Sequence, residues 1–141
     1  MSGWPNAPAP HMGLEIRPIR FDIDLTRSVP SIDVMFYAVN YTRYDLELRE
    51  LDITRFNVGS IPALDNVPLS ADRHVPAMSS QVVYCRRNLL DSEARALSHS
   101  PPGGGSGSLA FVARAYRGRR ETQYGPVSSI AVEGSIRCPA V

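Results

Sequence analysis

Two consecutive runs of alternating apolar and polar residues between positions 32 and 53 constrain this chain more than any other feature. In each run every second residue is apolar, and a polar break at residues 40–43 separates the two runs. The apolar residues are Ile32, Val34, Phe36 and Ala38 in the first run, and Tyr44, Leu46 and Leu48 in the second. A period of two is what a β-strand needs when one face packs on a core and the other meets water. The segment therefore predicts two half-buried strands joined by a polar corner. A change of parity at Arg49–Glu50 predicts a bulge in the second strand.

Similar runs recur along the rest of the chain. They lie at 14–25, 81–86, 109–116, 121–124 and 129–138, and the first changes parity at Arg17–Pro18, which predicts another bulge. Gly118 predicts a hairpin turn, and Asp91–Leu97 predicts a short helix. Residues 57–73 and the Gly/Ser/Pro-rich residues 98–108 predict loops, the second of them flexible. The predicted fold class is therefore all-β: an immunoglobulin-like antiparallel β-sandwich of about seven to eight strands with one short helix.

The length of the chain indicates one domain. Its 141 residues suit a single sandwich over 14–138, preceded by a flexible, Pro-rich N-terminal tail at 1–13. The predicted core takes the apolar parity of each run: Phe21, Ile23, Val34, Phe36, Leu46, Leu48, Val82, Phe111, Ala113, Ile130 and Val132.

Charge and hydropathy exclude several classes of function. The formal net charge is +1, and all 15 basic residues are Arg. A nearly neutral chain lacks the basic surplus of a bulk nucleic-acid binder, and a chain without Lys has no Schiff-base or phosphate-loop lysine. The Arg-only composition favours a prokaryotic source. No apolar run approaches the roughly twenty residues of a transmembrane helix.

The sequence also lacks the common motifs of catalysis and metal binding. His11, His74 and His99 do not have the spacing of a metal site, and no Ser lies in a nucleophile elbow. The glycine run at 103–107 lacks the Lys and the following helix of a phosphate cradle. We therefore expect no enzyme activity, no cofactor and no metal. Cys85 and Cys138 are compatible with one disulfide or with two buried thiols.

Asn40-Tyr41-Thr42 matches the acceptor pattern for N-glycosylation. The same Asn stands at the predicted corner, where Asn side chains commonly bond to the nearby backbone. We favour the corner over the glycan.

An Arg- and Tyr-rich hairpin is the candidate ligand-binding site. Its residues are Arg114, Tyr116, Arg117, Arg119, Arg120 and Tyr124. Guanidinium groups bind phosphates and tyrosine rings stack on bases, although a solvated hairpin tip has the same composition. Because the net charge is only +1, an acidic face must balance these arginines, and the second run supplies one: Asp45, Glu47, Glu50 and Asp52.

The order of several motifs resembles that of late-embryogenesis-abundant (LEA) type 2 and water-stress/hypersensitive-response (WHy) domains, and of related immunoglobulin-like accessory domains in prokaryotes. The matching residues are 34–40, 44–48, Val75-Pro76 with Ser79-Ser80 before Val82-Val83, and Val132-Glu133-Gly134. The chain has Asn40-Tyr41 where that family usually has Asn-Pro. The resemblance implies a non-catalytic domain, often tethered near a membrane, that contacts a protein or a surface.

These observations predict a non-enzymatic binding or accessory module that recognises a protein partner, with the hairpin and the two long loops as its contact surfaces. It would be the soluble head of a membrane-attached bacterial protein. The alternative is a small closed β-barrel that senses a nucleotide or another anionic ligand through Arg114, Tyr116, Arg117 and Arg119. The partner's identity, the compartment and the oligomeric state do not follow from the sequence.

Overall fold

A computed structural model describes residues 13–59, 61–98 and 103–139. In chain order its elements are β1 (Leu14–Asp24), β2 (Ser31–Asn40), β3 (Leu46–Val58), β4 (Ile61–Val75), β5 (Ser79–Asn88), α1 (Asp91–Leu97), β6 (Gly103–Arg117) and β7 (Arg120–Arg137). The predicted all-β class, the number of strands and the short helix are confirmed. The predicted tail lies almost entirely outside the described residues.

The strands form one sheet in the order β4-β3-β6-β7-β1-β2-β5. This sheet curls into a nearly closed barrel, whereas we predicted the two separate layers of a sandwich. The physical reason lies in β7, which pairs with β6 along its length and also pairs in parallel with β1 over residues 133–137. In a sandwich the strands would form two separate sheets, whereas here β7 is hydrogen-bonded on both sides and links all the strands into one sheet. The first and last strands of the order, β4 and β5, face each other across the remaining opening.

Both predicted bulges are confirmed. The pairing of β1 with β2 shifts between Pro18 and Arg20, and Ile19 turns outward as a result. The pairing of β3 with both of its neighbours shifts between Leu48 and Glu50. Each shift lets a strand keep its apolar residues on the inner face while the sheet bends.

The predicted loop at residues 57–73 is a correction to the sequence prediction, because residues 57–58 belong to β3 and residues 61–73 to β4, and the two strands pair as a long hairpin. Pro68 fits within β4 because β4 lies at the end of the sheet, where a missing backbone N–H does not break a ladder on both sides. Asn66 and Asp72 adopt positive φ angles of 55° and 44° within the strand. Asn and Asp tolerate that conformation, so these turn-forming residues produce irregularities in a strand and do not end it.

The glycine-rich segment is a second correction. We predicted a flexible loop over residues 98–108, but β6 begins at Gly103 and pairs with β7 from there onward. Residues 99–102 lie outside the described part of the chain. Gly107 is needed here for packing, because a Cβ on it would lie 2.5 Å from the carbonyl oxygen of Asn57.

Four phenylalanines fill the barrel. Phe21 packs edge-to-face on Phe56 with ring centroids 4.9 Å apart, and Phe36 packs on Phe111 at 5.6 Å. Such pairs add to the stabilisation from area burial. The helix α1 buries Leu97 against this core beside β4.

Two residues of the predicted core lie elsewhere. Val82 is 36% exposed and faces outward, because its neighbour Val83 and then Cys85 occupy the inner parity of β5. Because Val82 and Val83 are adjacent, the sequence alone does not show which of them faces the core. Ile130 is only partly buried, beside Ser129, whose φ is positive. The other nine predicted core residues are buried.

Within the residues that the structure describes, no helix has the length and apolar character to cross a membrane.

Replacing Gly134 by Ala is expected to lower the free energy of unfolding by about 3 kcal/mol. The new Cβ would overlap the carbonyl oxygen and the ring of Phe21, which cannot move without disturbing the β1–β7 pairing. Gly118→Ala is the matched control, because its Cβ would meet open space and only the positive φ of 61° is strained, which should cost about 1 kcal/mol. Urea unfolding of both variants measures the difference. Equal losses would show that close packing against Phe21 is not what requires Gly134.

Candidate functional site

Three connections between strands meet at one end of the barrel. The β2–β3 corner contacts the β4–β5 turn, because the N–H of Met78 donates to the carbonyl oxygen of Thr42 at 3.0 Å. The same corner contacts the β6–β7 hairpin, where the guanidinium of Arg117 lies 3.9 Å from the centroid of the Tyr44 ring. We call residues 41–45, 76–78 and 117–120 together the corner end.

Asn40 holds the corner end in place. Its Nδ2 donates to the carbonyl oxygens of Tyr44, Val75 and Pro76 at 2.7, 3.1 and 3.2 Å. Its Oδ1 accepts from the N–H and the hydroxyl of Thr42 at 2.9 and 2.7 Å. One buried side chain thus satisfies backbone groups on both the β2–β3 corner and the β4–β5 turn, which rigidifies the connection.

These contacts confirm that Asn40 serves as a corner residue. The side chain is 1% exposed, and its amide nitrogen is surrounded by three carbonyl oxygens. A glycan could be attached only if this network came apart.

The predicted site residues divide between the two faces of the sheet. Arg114 lies on the outer face, where its Nη1 is 2.8 Å from Asp52 and 3.2 Å from Glu50. Its Nε is 3.5 Å from Glu121. The hydrogen bond to Asp52 is the main reason that the pKa of Arg114 is raised. Two members of the predicted acidic face, Glu50 and Asp52, thus balance the positive charge of Arg114. This arginine is therefore paired within the chain.

Tyr116 also lies outside the barrel. Its hydroxyl donates to Glu121 at 3.2 Å, and Arg49 lies 4.5 Å above its ring centroid. Partial desolvation, and then the hydrogen bond to Glu121, raise the pKa of the phenol. The ring is covered by an arginine of its own chain, so its face is not an open stacking platform.

Tyr124 belongs to the core. It is buried and stacks on Phe111 at a centroid distance of 6.2 Å. Burial is the main cause of its raised pKa. Its position in β7, two residues after the buried Thr122, places it on the inner face.

The remaining three arginines meet at the hairpin tip. Gly118, with a φ of 61°, turns the chain as predicted, and Arg117 pairs across the turn with Arg120. Arg119 is exposed in the turn itself. Among the described residues, no carboxylate lies within ion-pair distance of these three arginines.

A groove of about 320 Å³ opens at the corner end, at the mouth of the barrel. Its lining combines two arginines with hydroxyl groups and one apolar side chain: Thr42, Tyr44, Leu46, Arg117, Arg120 and Thr122. Mouths of β-barrels are common ligand sites. Sequence reasoning missed Thr122, although its shared parity with Tyr124 could have placed it on the inner face.

His74 forms a second charged cluster that the sequence analysis did not find. Its Nδ1 lies 2.8 Å from Glu47 and its Nε2 lies 3.4 Å from Asp45. The hydrogen bond to Glu47 is the largest cause of the raised pKa of His74. This cluster forms because β3 pairs with β4 and places Glu47 opposite His74. The two residues are far apart in sequence, so local patterns do not reveal it. In the part of the chain with described coordinates, no group of three or more His, Cys, Asp or Glu side chains could hold a metal ion. His11 and His99 lie outside that part.

Both cysteines are free thiols. Cys85 is buried on the inner face of β5, and desolvation raises its pKa to about 12. A thiol that stays protonated in an apolar interior is a poor nucleophile.

Comparisons with known proteins give a distant likeness in fold. No family model matches the sequence, and no curated protein matches it. Among solved structures, the ASH/PapD-like domain 7 of human CEP192 aligns with a TM-score of 0.41 and 11% identity, over 100% of this chain and 96% of that chain. A structure described as a late embryogenesis abundant (LEA) protein aligns with a TM-score of 0.47 and 13% identity, over 91% and 72% of the two chains. A protein from Archaeoglobus fulgidus aligns at 0.45 and 12%, over 91% and 99%. All three TM-scores lie below 0.5, and we assign no family from them.

Replacing Asn40 by Ala is expected to reduce the free energy of unfolding by about 3 kcal/mol, because several buried backbone groups lose their partner together. Thr42→Val is the control, since it removes only hydrogen bonds of the Thr42 hydroxyl and should cost about 1 kcal/mol. Urea denaturation of the two variants tests the difference. A loss in Asn40→Ala no larger than that in Thr42→Val would contradict the central role of Asn40.

The His74 cluster predicts a pH dependence of stability. Because its folded pKa is raised, protonated His74 stabilises the fold fully below the unfolded pKa of about 6.5, and this contribution disappears as the pH rises through the folded pKa. NMR titration of the imidazole should give a pKa above the value in unfolded protein. Glu47→Gln should lower that pKa, whereas Asp65→Asn, on another part of β4, should leave it unchanged. A His74 pKa insensitive to Glu47→Gln would refute the assignment.

Proposed function

We propose that this protein is a non-enzymatic binding module that recognises a protein partner through the corner end. One observation carries the proposal: three connections on a rigid barrel present tyrosine, methionine and arginine side chains together at one end. Tyr41, Tyr44 and Met78 are 39%, 53% and 70% exposed there, next to the hairpin arginines. Tyr, Met and Arg are enriched in protein interfaces, and Tyr and Arg are common among the few residues that dominate binding energies.

The charge of the corner end supports an acidic partner. Several arginines on the strand faces have a carboxylate neighbour within the chain, as Arg86 has Asp33 at 2.6 Å and Arg114 has Asp52. Arg117, Arg119 and Arg120 have none among the described carboxylates, so their charge is available to a partner. Complementary charge of this kind speeds association and selects the partner.

The Asn40 network supports the proposal through preorganisation. Because the corner is already ordered by buried hydrogen bonds, a partner need not order it on binding, and less binding energy is lost. Loops on such a scaffold are common recognition surfaces.

A binding role is also favoured over catalysis by the state of the hydroxyl groups near the corner end. The hydroxyl of Thr42 bonds to Asn40 and Tyr44, and that of Ser79 donates to the carbonyl oxygen of Pro76 at 2.6 Å. Neither is paired with a histidine that could act as a base. The resemblance to LEA type 2 and WHy domains implies an accessory module near a membrane, and we include that role in the proposal.

The test is a charge and polarity reversal confined to the corner end, in the double variant Met78→Asp/Arg119→Glu. Both side chains are exposed, and Asp tolerates the positive φ of residue 78. Val29→Asp/Arg27→Glu makes the same chemical change at the opposite end of the barrel, in the β1–β2 turn. Partners are first isolated by affinity purification and identified, and each is then purified and titrated by calorimetry.

We expect the corner-end variant to lose at least about tenfold in affinity for a directly binding partner, or about 1.4 kcal/mol, while the opposite-end variant binds as the wild type does. A partner that tolerates the first variant, or that is lost equally with both, would overturn the proposed surface.

A further inference from the structure

Two arginines face each other directly across the β6–β7 hairpin. Arg117 and Arg120 are register partners at the end of the ladder, and like charges directly opposite one another destabilise a strand pair. No described carboxylate approaches either side chain closely enough to form an ion pair. Glu121, the acidic residue next in sequence, instead bonds Arg114 and Tyr116 on the outer face. Within the described residues, no carboxylate therefore compensates this repulsion.

Both arginines belong to the inner parity of their strands. Arg117 continues the buried positions Ala113 and Ala115 of β6, and Arg120 precedes the buried Thr122 and Tyr124 of β7 by the same step of two. Because the strands end here, the two guanidinium groups line the mouth of the barrel and not its packed interior. Both line the 320 Å³ groove.

Thr122 adds a neutral donor to the same groove. It is only 7% exposed, yet within the described residues its hydroxyl makes no hydrogen bond to the protein. The hydroxyl is not one of the buried unsatisfied polar atoms of the described residues, so it keeps contact with the solvent in the groove and is free to donate a hydrogen bond to a ligand. Leu46, also buried, forms the apolar side of the groove.

Arg117 is held in place before any ligand arrives. Its guanidinium lies 3.9 Å from the Tyr44 ring centroid, a cation–π contact that orients the group. The Tyr44 backbone is in turn bonded by Asn40 at 2.7 Å and by Thr42 at 3.2 Å. The corner thus fixes one wall of the groove and the hairpin supplies the other.

We propose that this groove binds a tetrahedral oxyanion of the phosphoryl class, held by Arg117 and Arg120 with a hydrogen bond from Thr122. Two guanidinium groups balance the two negative charges of a phosphate monoester and present forked donors to its oxygens. This proposal rests on the proposed function, because the phosphoryl group would be carried by a side chain of the protein partner docked on the corner end. Free phosphate and nucleotides carry the same chemistry and are separated by the experiment.

The test uses four probes on the intact chain: inorganic phosphate, N-acetyl-phosphoserine amide, N-acetyl-serine amide and ADP. Binding is followed by ¹⁵N NMR and by thermal unfolding in a low-salt buffer without phosphate. The variants are Arg120→Ala, which keeps the Arg117–Tyr44 contact, and Thr122→Val, which keeps the shape of the side chain. Arg27→Ala, at the opposite end of the barrel, is the control for net charge.

We expect phosphate to shift the amide signals of residues 117–122 and to raise the Tm of the wild type and of Arg27→Ala. Arg120→Ala should weaken phosphate binding at least about tenfold and should itself have a higher Tm than the wild type without phosphate, because the repulsion is relieved. Thr122→Val should bind more weakly without losing stability. Phosphoserine amide binding at least as tightly as phosphate, with no binding of serine amide, would support a partner's phosphoryl group.

Three results would overturn the proposal: no shift with any phosphorylated probe, equal binding by Arg120→Ala and Arg27→Ala, or shifts located away from the groove. Preference for ADP over phosphoserine amide would overturn the partner as the source of the phosphoryl group. Each of these results is separate from the test of the proposed function, because Met78 and Arg119 do not line the groove. If the groove binds no phosphate but the Met78→Asp/Arg119→Glu variant still loses its partner, the phosphoryl proposal is wrong and the protein-binding function is supported.

Discussion

The buried amide of Asn40 is the interaction on which the functional end of this barrel depends. It joins the end of β2 to the residues before β3 and to the β4–β5 turn through hydrogen bonds to buried and partly buried backbone groups. The arrangement around it follows from this constraint. Tyr44 is held where its ring can contact Arg117, and Met78 is held beside Thr42. Without the amide, the three connections would keep the Met78–Thr42 hydrogen bond and the Arg117–Tyr44 contact, but the β2–β3 corner would lose its side-chain hydrogen bonds to the β4–β5 turn.

Local patterns in the sequence predict a strand correctly where every second residue is clearly apolar. They fail where the conformation of a segment depends on contacts with residues that are distant in sequence. The runs at 32–53 and 109–116 and both bulges are visible because a strand half-buried in a sheet must alternate. The glycines at 103–107 suggest a linker, because the close approach of the Asn57 carbonyl oxygen, which leaves no room for a Cβ on Gly107, cannot be seen locally. Asn66 and Pro68 suggest a loop because their place at the end of the sheet cannot be seen locally. The closure into one sheet depends on β7 pairing with β1, more than 100 residues apart in sequence.

The candidate site shows the same division. Proximity in sequence correctly placed the arginines and tyrosines on one hairpin, but the alternation of that hairpin distributes them over two faces. Arg114 and Tyr116 meet the acidic side chains of β3 and β7 outside the barrel, and Tyr124 joins the core. Of the predicted site arginines, those nearest the turn, Arg117, Arg119 and Arg120, have no described carboxylate within ion-pair distance. Thr122 and His74 were missed for a shared reason, since each gains its significance from a strand-pairing partner or a groove and not from its sequence neighbours.

The opening between β4 and β5 has a mechanical consequence. In the described structure these two strands are not joined by a backbone ladder, so the barrel is closed there by side chains and by α1, whose Leu97 is buried beside β4. Elsewhere, separating two strands breaks a row of backbone hydrogen bonds, but here it parts side-chain contacts, among them the hydrogen bond from Arg73 to Gln81 at 3.1 Å. Deformation of the barrel should therefore concentrate along this line. The β4–β5 turn bonded by Asn40 closes one end of the line, so a change of shape at the helix could reach the corner end without any strand leaving the sheet.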